Sequence, residues 1–335
     1  MASQGPDPGA PQRRHVRSKA RSDPSHGHPH DGRPIEDHMD YGIVVLDKPS
    51  GPSSHQVAAW ARDAVGAGKA GHAGTLDPKV TGMLVIAFDS ATRALDLGRE
   101  AGKEYVTELV LHRDVEKGRL RKVLQRFVGD VIQMPPKRSA VRRVLRTRKV
   151  HSIDLLEHRG RLVLVRVHCE AGTYIRSLCH DIGMVLGTGA HMGDLRRTRL
   201  GPFGEEDMVT LHDLRDAAEW RKEEGSEEEL RHIVRPMEDL LADLPVIVVR
   251  DSAVDALCHG APLAVAGILE ADDSVRKGRR VAVLTGKGEA VGFGHATMTV
   301  EEMVEAKEGI AVQLARVFMR EDTYPRGWGK DKVPK

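Results

Sequence analysis

The sequence predicts an α+β protein with two folded domains. Three observations carry this. The chain has 335 residues, enough for two domains with cores of their own. Between residues 38 and 243, apolar runs of strand length interleave with amphipathic helical stretches. Beyond the break at Leu244-Pro245, short β-type runs take over, with two helical stretches among them. The predicted layout is a basic tail over 1–37, a first domain over 38–243, a second over 244–322 and a tail over 323–335. Charged residues make up 30% of the chain and the formal net charge is +2. A surface for nucleic acid must therefore come from local clustering. Cys169, Cys179 and Cys258 are the three cysteines and form no Cys-x-x-Cys. Neither a zinc site nor a disulfide framework is expected, and a reducing, cytoplasmic setting fits. No apolar run approaches the roughly 20 residues of a membrane span, and no signal-peptide segment is expected at the start.

In chain order, residues 1–37 are rich in Gly, Pro, Ser, His and Arg and are expected to be disordered when free. His26, His28 and His30 alternate, a weak metal-binding pattern. A solvated tail is preferred, because no ordered scaffold is in sight. Arg13, Arg14, Arg17, Lys19 and Arg21 offer unspecific contact to phosphates. Gly42 to Leu46 reads as a strand. Ser53, with Gln56 three residues on, is a capping box opening a helix to about Val65, with Val57, Trp60, Ala61, Ala64 and Val65 on its apolar face. Gly66-Ala67-Gly68-Lys69-Ala70-Gly71 has the spacing of a dinucleotide fingerprint. It follows a helix instead of a strand, so that reading is rejected.

Next comes Gly71-His72-Ala73-Gly74-Thr75-Leu76-Asp77-Pro78, mostly small residues around one carboxylate. Pro78 biases Asp77 towards extended backbone. After Gly82, the run Met83 to Ala87 reads as a buried strand. A rigid loop entering the core is a good mount for a single working carboxylate, although taken alone these residues also suit a plain turn. Glu104 to Leu111 is a strand carrying Tyr105. Arg119 to Val128 is helical, and Pro135-Pro136 breaks the chain. Lys137, Arg138, Arg142, Arg143, Arg146, Arg148 and Lys149 then crowd together without an acidic residue, which favours an RNA-facing surface over a merely solvated one. Arg161 to Glu170 is a half-buried strand. A helix runs from about Thr173 to Leu186 with Arg176 in its first turn. The helix dipole disfavours a cation there, so a carboxylate partner is expected. Arg196, Arg197 and Arg199 form a second basic cluster. Thr210 with Asp213 opens another helix, and Glu223 to Glu229 is an acidic patch. Strands follow at Val246–Val249, Val281–Leu284, Val291–Phe293 and Ile310–Val317, with helices at about Ser252–Cys258 and Thr299–Lys307.

Four stretches, in this order, resemble the motifs of the TruB/dyskerin family of RNA pseudouridine synthases. They are Gly42-Ile43-Val44-Val45-Leu46-Asp47-Lys48-Pro49 through His55, the Asp77 loop, Gly102-Lys103-Glu104-Tyr105, and Gly172-Thr173-Tyr174-Ile175-Arg176-Ser177-Leu178. The likeness runs from about Tyr41 to Trp328 and is closer to the dyskerin type of archaeal H/ACA ribonucleoproteins. The long insertion that bacterial tRNA enzymes carry after the Lys-x-Tyr motif looks absent. Asp251-Ser252-Ala253-Val254 through Gly260-Ala261 looks like a PUA domain, as does Arg320 to Pro325. No Lys-rich tail follows Trp328, which favours the archaeal form.

The resemblance implies a mixed, mainly antiparallel sheet with flanking helices, joined to a small mixed β PUA domain. It implies isomerisation of uridine to pseudouridine in rRNA, with tRNA as a further substrate. It also implies an H/ACA guide RNA and small H/ACA companion proteins as partners, and no metal or organic cofactor. Asp77 would be the catalytic group, as nucleophile on sugar or base or as a base removing a sugar proton; the choice stays open. Tyr105 would stack on the flipped uracil, Arg176 would aim Asp77, and Leu178 would pack against the pocket. Lys48, Pro49 and Gly74 would support the loop. Arg142, Arg143, Arg146, Arg148, Lys149, Arg196, Arg197 and Gly260 would contact RNA. Two other functions compete: a stand-alone tRNA pseudouridine synthase and a non-catalytic RNA-binding scaffold.

Overall fold

The structure is a computed structural model and describes residues 13–30, 32–135 and 142–326. Lys137, Arg138 and the residues beyond 326 lie outside the described residues. The chain forms two compact units, one of residues 44–87 and 95–233, the other of the N-terminal segment through 43, residues 88–94 and residues from 234 on.

The first unit is built on a sheet of β1 (Gly42–Lys48), β2 (Thr81–Phe88), β3 (Lys103–Leu111), β4 (Gly129–Gln133), β5 (Arg146–Arg159), β6 (Leu162–Cys169) and β7 (Ala190–Leu200). Their order is β1-β2-β7-β3-β6-β5-β4. β2 and β7 run parallel, with Gly82 beside Arg197; the pairs from β7 through β3, β6 and β5 to β4 are antiparallel. All but the first residue of β2 are buried, as a strand covered on both faces requires. A Cβ on Gly82 would stand 2.3 Å from the Arg197 carbonyl oxygen, and its φ is +93°. Only glycine allows that approach.

The longer helices of this unit are α1 (Ser54–Val65), α2 (Lys117–Gln125), α3 (Ile175–Leu186) and α4 (Leu211–Glu224). Both expected capping boxes form, Ser53 with Gln56 and Thr210 with Asp213. α1 ends at Gly66 in the left-handed conformation, and Ala70–His72 then pairs with β2, so the glycine-rich run is a link. Trp60 corrects the expected apolar face of α1. The helix buries the narrow stripe Val57, Ala58 and Ala61, and Trp60 stays 47% exposed. α3 buries Ile175, Leu178, Cys179, Ile182 and Leu186 against Leu109, Val163 and Val165 of the sheet. The long strand β5 was not expected, because its charges hide the alternation.

The second unit holds β8 (Val246–Val249), α5 (Asp251–Cys258), β9 (Leu263–Ala264), β10 (Ile268–Asp272), β11 (Arg280–Thr285), β12 (Ala290–Ala296), α6 (Val300–Glu305) and β13 (Ile310–Val317). Here the structure corrects both tails. Residues 14–16 pair antiparallel with β10, Arg14 opposite Asp272 and Val16 opposite Glu270. Arg14 Nε donates to the fully buried Asp272 carboxylate at 3.0 Å. Arg17 Nη1 donates to the Met303 and Val304 carbonyls at 2.6 and 3.0 Å. The polar composition that predicted disorder is offset by pairing to a sheet edge far away in sequence. The alternating histidines lie along this segment, and the described residues contain no group of three His, Cys, Asp or Glu suited to a metal.

At the other end, Tyr324 is 1% exposed. Its hydroxyl donates to Glu289 Oε2 at 2.5 Å, and burial with Glu289 beside it pushes its pKa upward. Thr285 Oγ1 donates to the same carboxylate oxygen at 3.0 Å. The unit therefore extends past residue 322. Tyr324→Ala is expected to cost about 3–5 kcal/mol, read as a lower denaturation midpoint of this unit. A midpoint equal to wild type would return the segment to a tail.

Candidate active site

The Asp77 loop leaves strand Ala70–His72 and enters β2, and its backbone is fixed on both sides of the carboxylate. The Ala73 amide donates to the Val85 carbonyl at 2.9 Å. The buried Ser54 hydroxyl accepts from the Leu76 amide at 2.8 Å and donates to the Leu76 carbonyl at 3.1 Å. Lys48, wholly buried, donates its Nζ to the Pro49 and Pro78 carbonyls at 2.7 and 3.0 Å; burial lowers its pKa. Arg197 Nη2 donates to the Gly74 carbonyl at 3.1 Å, where φ is +92°. The residues on either side of Asp77 are thus clamped while Asp77 itself faces solvent.

Arg176 is the second residue of α3, whose N-cap is Tyr174. The Arg176 guanidinium forms an ion pair and hydrogen bond with the Asp77 carboxylate. Both side chains are more than half exposed, so the pair contributes little stability. Its consequence is orientation: a charged donor on one carboxylate oxygen sets where the other points. The N-cap peptide is held from β4. Gln133 Oε1 accepts from the Tyr174 amide at 2.9 Å, and Gln133 Nε2 donates to the Tyr174 carbonyl at 3.1 Å.

Behind the loop lies a buried cation. Arg197 on β7 faces Tyr105 on β3 and is 1% exposed. Its Nε donates to the Met83 carbonyl at 2.7 Å, and Tyr105 is its cross-strand neighbour. Burial raises the Tyr105 pKa, with the guanidinium working the other way. Burial lowers the pKa of Arg197. Lys103, buried beside it, has its pKa pulled down to about 8 by burial and by Arg197. Its Nζ donates to the carbonyls of Gly98, Arg99 and Ala101 at 3.0, 2.9 and 2.7 Å.

Two clefts border these groups. One of about 480 Å³ is lined by Gln133, Met134, Arg176, Ser177 and His180, among others. The other, of about 620 Å³, is lined by His55, Arg62, His72 and Thr75 among others. The His72 ring meets His55 edge-on at 4.8 Å, and burial, helped by His55, lowers the His72 pKa to about 4.

The structure brings Asp77, Arg176, Lys48 and Gly74 together and sets Tyr105 against Arg197. It moves three expected residues elsewhere. Leu178 is 1% exposed in the core beneath α3, not on the cleft. Arg196 is engaged by Asp47 through two bonds of 2.9 and 3.0 Å and by Glu205 at 2.9 Å. Arg196 thus keeps 35% of its side chain exposed but shares its charge with two carboxylates. Arg197 is internal. Arg142, Arg143 and Lys149 are exposed and Arg146 and Arg148 half-buried. Gly260 is exposed in the turn after α5, its amide donating to the Leu257 carbonyl at 2.9 Å. Ser54 and Gln133 were missed by the sequence. Ser54 follows a better cap residue and Gln133 sits in an ordinary strand pattern, so neither carries a local signal.

Family models match the chain in four successive stretches. They are the DKCLD (NUC011) domain over residues 11–58, the N-terminal domain of TruB family pseudouridylate synthases over 62–175, the tRNA pseudouridylate synthase B C-terminal domain over 176–242 and a PUA domain over 245–318. A probable tRNA pseudouridine synthase B of Methanopyrus kandleri is 54% identical over 94% of this chain and 93% of that protein. One from Methanosarcina mazei is 50% identical over 98% of each. Among solved structures, a chain of a Cbf5-Nop10-Gar1 complex superposes with TM-score 0.88 at 49% identity, covering 95% of this chain and 97% of that one. A chain of an H/ACA RNP bound to a substrate RNA containing 2′-deoxyuridine gives TM-score 0.88 at 47% identity, covering 96% and 99%. The fold, the site and these matches define an RNA pseudouridine synthase, an isomerase. The chain belongs to the TruB family of pseudouridine synthases.

Proposed function

We propose that this chain converts uridine to pseudouridine in RNA under the direction of an H/ACA guide, with Asp77 as the catalytic carboxylate. The observation that carries the chemistry is the Asp77–Arg176 pair on a loop clamped on both sides. A base inside a helix is out of reach, so the target nucleotide is flipped out. The N1–C1′ bond then breaks, the uracil turns, C5 bonds to C1′, the C5 proton leaves and N1 gains one. Glycosidases that release their leaving group to water use two carboxylates. An isomerase retains its leaving group and consumes no water, so one suffices. Arg176 aims Asp77, and Tyr105 offers its ring to the uracil from its place beside Arg197. No metal or organic cofactor enters this chemistry.

Likeness over nearly the whole chain to proteins solved with Nop10, Gar1 and substrate RNA supports the guided reading, with an H/ACA guide RNA and small companion proteins as partners; a cytoplasmic setting is proposed with it. No helix among the described residues is long and apolar enough to cross a membrane. The names of the curated relatives favour the second reading, a stand-alone tRNA enzyme. The test is pseudouridine mapping of one target RNA after incubation with the purified chain and companions, with and without guide. Modification only with guide is expected. Full, site-specific modification without it favours the stand-alone enzyme, and none under any condition favours a scaffold.

The basic run grips substrate through phosphates. Replacing Arg142, Arg143, Arg146 and Arg148 with Gln is expected to flatten the slope of log affinity against log salt by about 0.7–0.9 for each phosphate no longer neutralised. An unchanged slope would leave this run facing solvent only.

A further inference from the structure

The side chain of Gln133 joins the hairpin that carries the basic run to the start of the helix that carries Arg176. β4 and β5 pair from Gly129 opposite Val150 to Gln133 opposite Arg146. Gln133 is therefore the last paired residue before the strands part into the segment bearing Arg142 and Arg143. On either side of it, Ile132 and Met134 are exposed, at 69% and 42%. Alternation along the strand sends Gln133 inward, where it is 4% exposed. An inward strand position ordinarily takes an apolar residue, since a buried amide costs free energy unless every polar atom is matched. Here both atoms are matched, by the two polar groups of one residue, Tyr174. The amide's orientation is fixed by chemistry. A peptide N–H only donates and a carbonyl only accepts, so Oε1 must face the former and Nε2 the latter. Tyr174 is the N-cap of α3 and has no side-chain cap bond. Its carbonyl also receives the Leu178 amide at 3.0 Å. Two residues later comes Arg176, which shares a cleft wall with Gln133.

We propose that Gln133 is a positioning residue, clamping the Tyr174 peptide so that the first turn of α3 holds Arg176 on Asp77 and registering the RNA-gripping hairpin to that pair. The proposal rests on the reading of Asp77 and Arg176 given above. Movement of the hairpin base on RNA engagement then reaches Arg176 through two hydrogen bonds, without any contact between Gln133 and the uridine.

The test uses the full chain on the RNA substrate that reports wild-type activity, under single-turnover conditions, with RNA affinity and melting temperature measured on the same preparations. Gln133→Leu removes both bonds at similar volume. Its rate is expected to fall about tenfold to a hundredfold, the scale set by small misplacement of a reacting group, with affinity and melting temperature near wild type. Gln133→Glu discriminates further. An ionised carboxylate accepts from the Tyr174 amide but faces the Tyr174 carbonyl without a proton to give. Once protonated it regains the donor. The variant's rate is therefore expected to rise relative to wild type as pH falls from about 8 to about 6, because burial raises a carboxyl's pKa. Should Gln133→Leu fail to fold, this profile still decides. A Gln133→Leu rate within twofold of wild type overturns the proposal. So does a Gln133→Glu profile that parallels wild type, or a rate loss matched by equal loss of RNA affinity or stability. If Asp77→Asn retains activity, the underlying reading of the pair falls. If Asp77→Asn is inactive and the Gln133 variants behave as wild type, only the present proposal falls.

Discussion

Asp77→Asn is expected to abolish pseudouridine formation while RNA affinity stays within about threefold of wild type, the rate falling by at least about a thousandfold, as for removal of a group that makes or breaks bonds. The substitution is isosteric. It removes the charge and the nucleophilic oxygen and leaves the backbone clamps from Ser54, Lys48 and Arg197 untouched, because none of them reaches the Asp77 side chain. Stability should change little, since the pair with Arg176 is more than half exposed and exposed pairs contribute little. Pseudouridine formation and RNA binding measured in parallel check this. Activity within tenfold of wild type would take Asp77 out of the chemistry.

The second large effect is expected at Arg197. Arg197→Met takes away a buried guanidinium that spans the Gly74 and Met83 carbonyls. Two effects on stability oppose each other. Two acceptors lose a donor, which destabilises. A desolvated charge disappears from the interior, which stabilises. The net change is expected to stay within about 2 kcal/mol of zero. Activity has no such compensation. The loop loses its hold at Gly74 and Tyr105 loses its cross-strand cation, so the rate should fall about a hundredfold. Denaturation curves and single-turnover rates on one preparation separate the two. A variant that loses stability and activity in proportion, or keeps both, contradicts the assignment.

Much of the fold was legible because its signals are local. The two capping boxes name helix starts within a residue, and Val246–Val249 and Ile310–Val317 coincide with strands of the structure. The Asp77 loop was legible through its glycines, its proline and the family resemblance. What failed was non-local. Residues 13–18 have the composition of a disordered tail, but an edge strand more than 250 residues away supplies their partners. Arg196 and Arg197 read as a surface cluster, because charge in sequence does not reveal that β7 lies in the middle of the sheet. One of the two then meets carboxylates and the other goes inside. Leu178 follows the same logic: helical spacing puts it on the core face of α3 two residues after an exposed arginine.

The claim most exposed to contradiction is that base pairing by a guide, not the protein, chooses the uridine. Delegating sequence to a guide leaves the protein to read backbone and shape, as in RNA-guided nucleases. The direct measurement is a guide exchange. Two guides differing only in their pairing segments are assembled in turn with the chain and its companions, and each assembly is given the same RNA carrying both matching targets. The site of pseudouridine is predicted to move with the guide, each target modified only by its own. Modification that stays at one uridine under both guides, or occurs equally without either, would contradict the account.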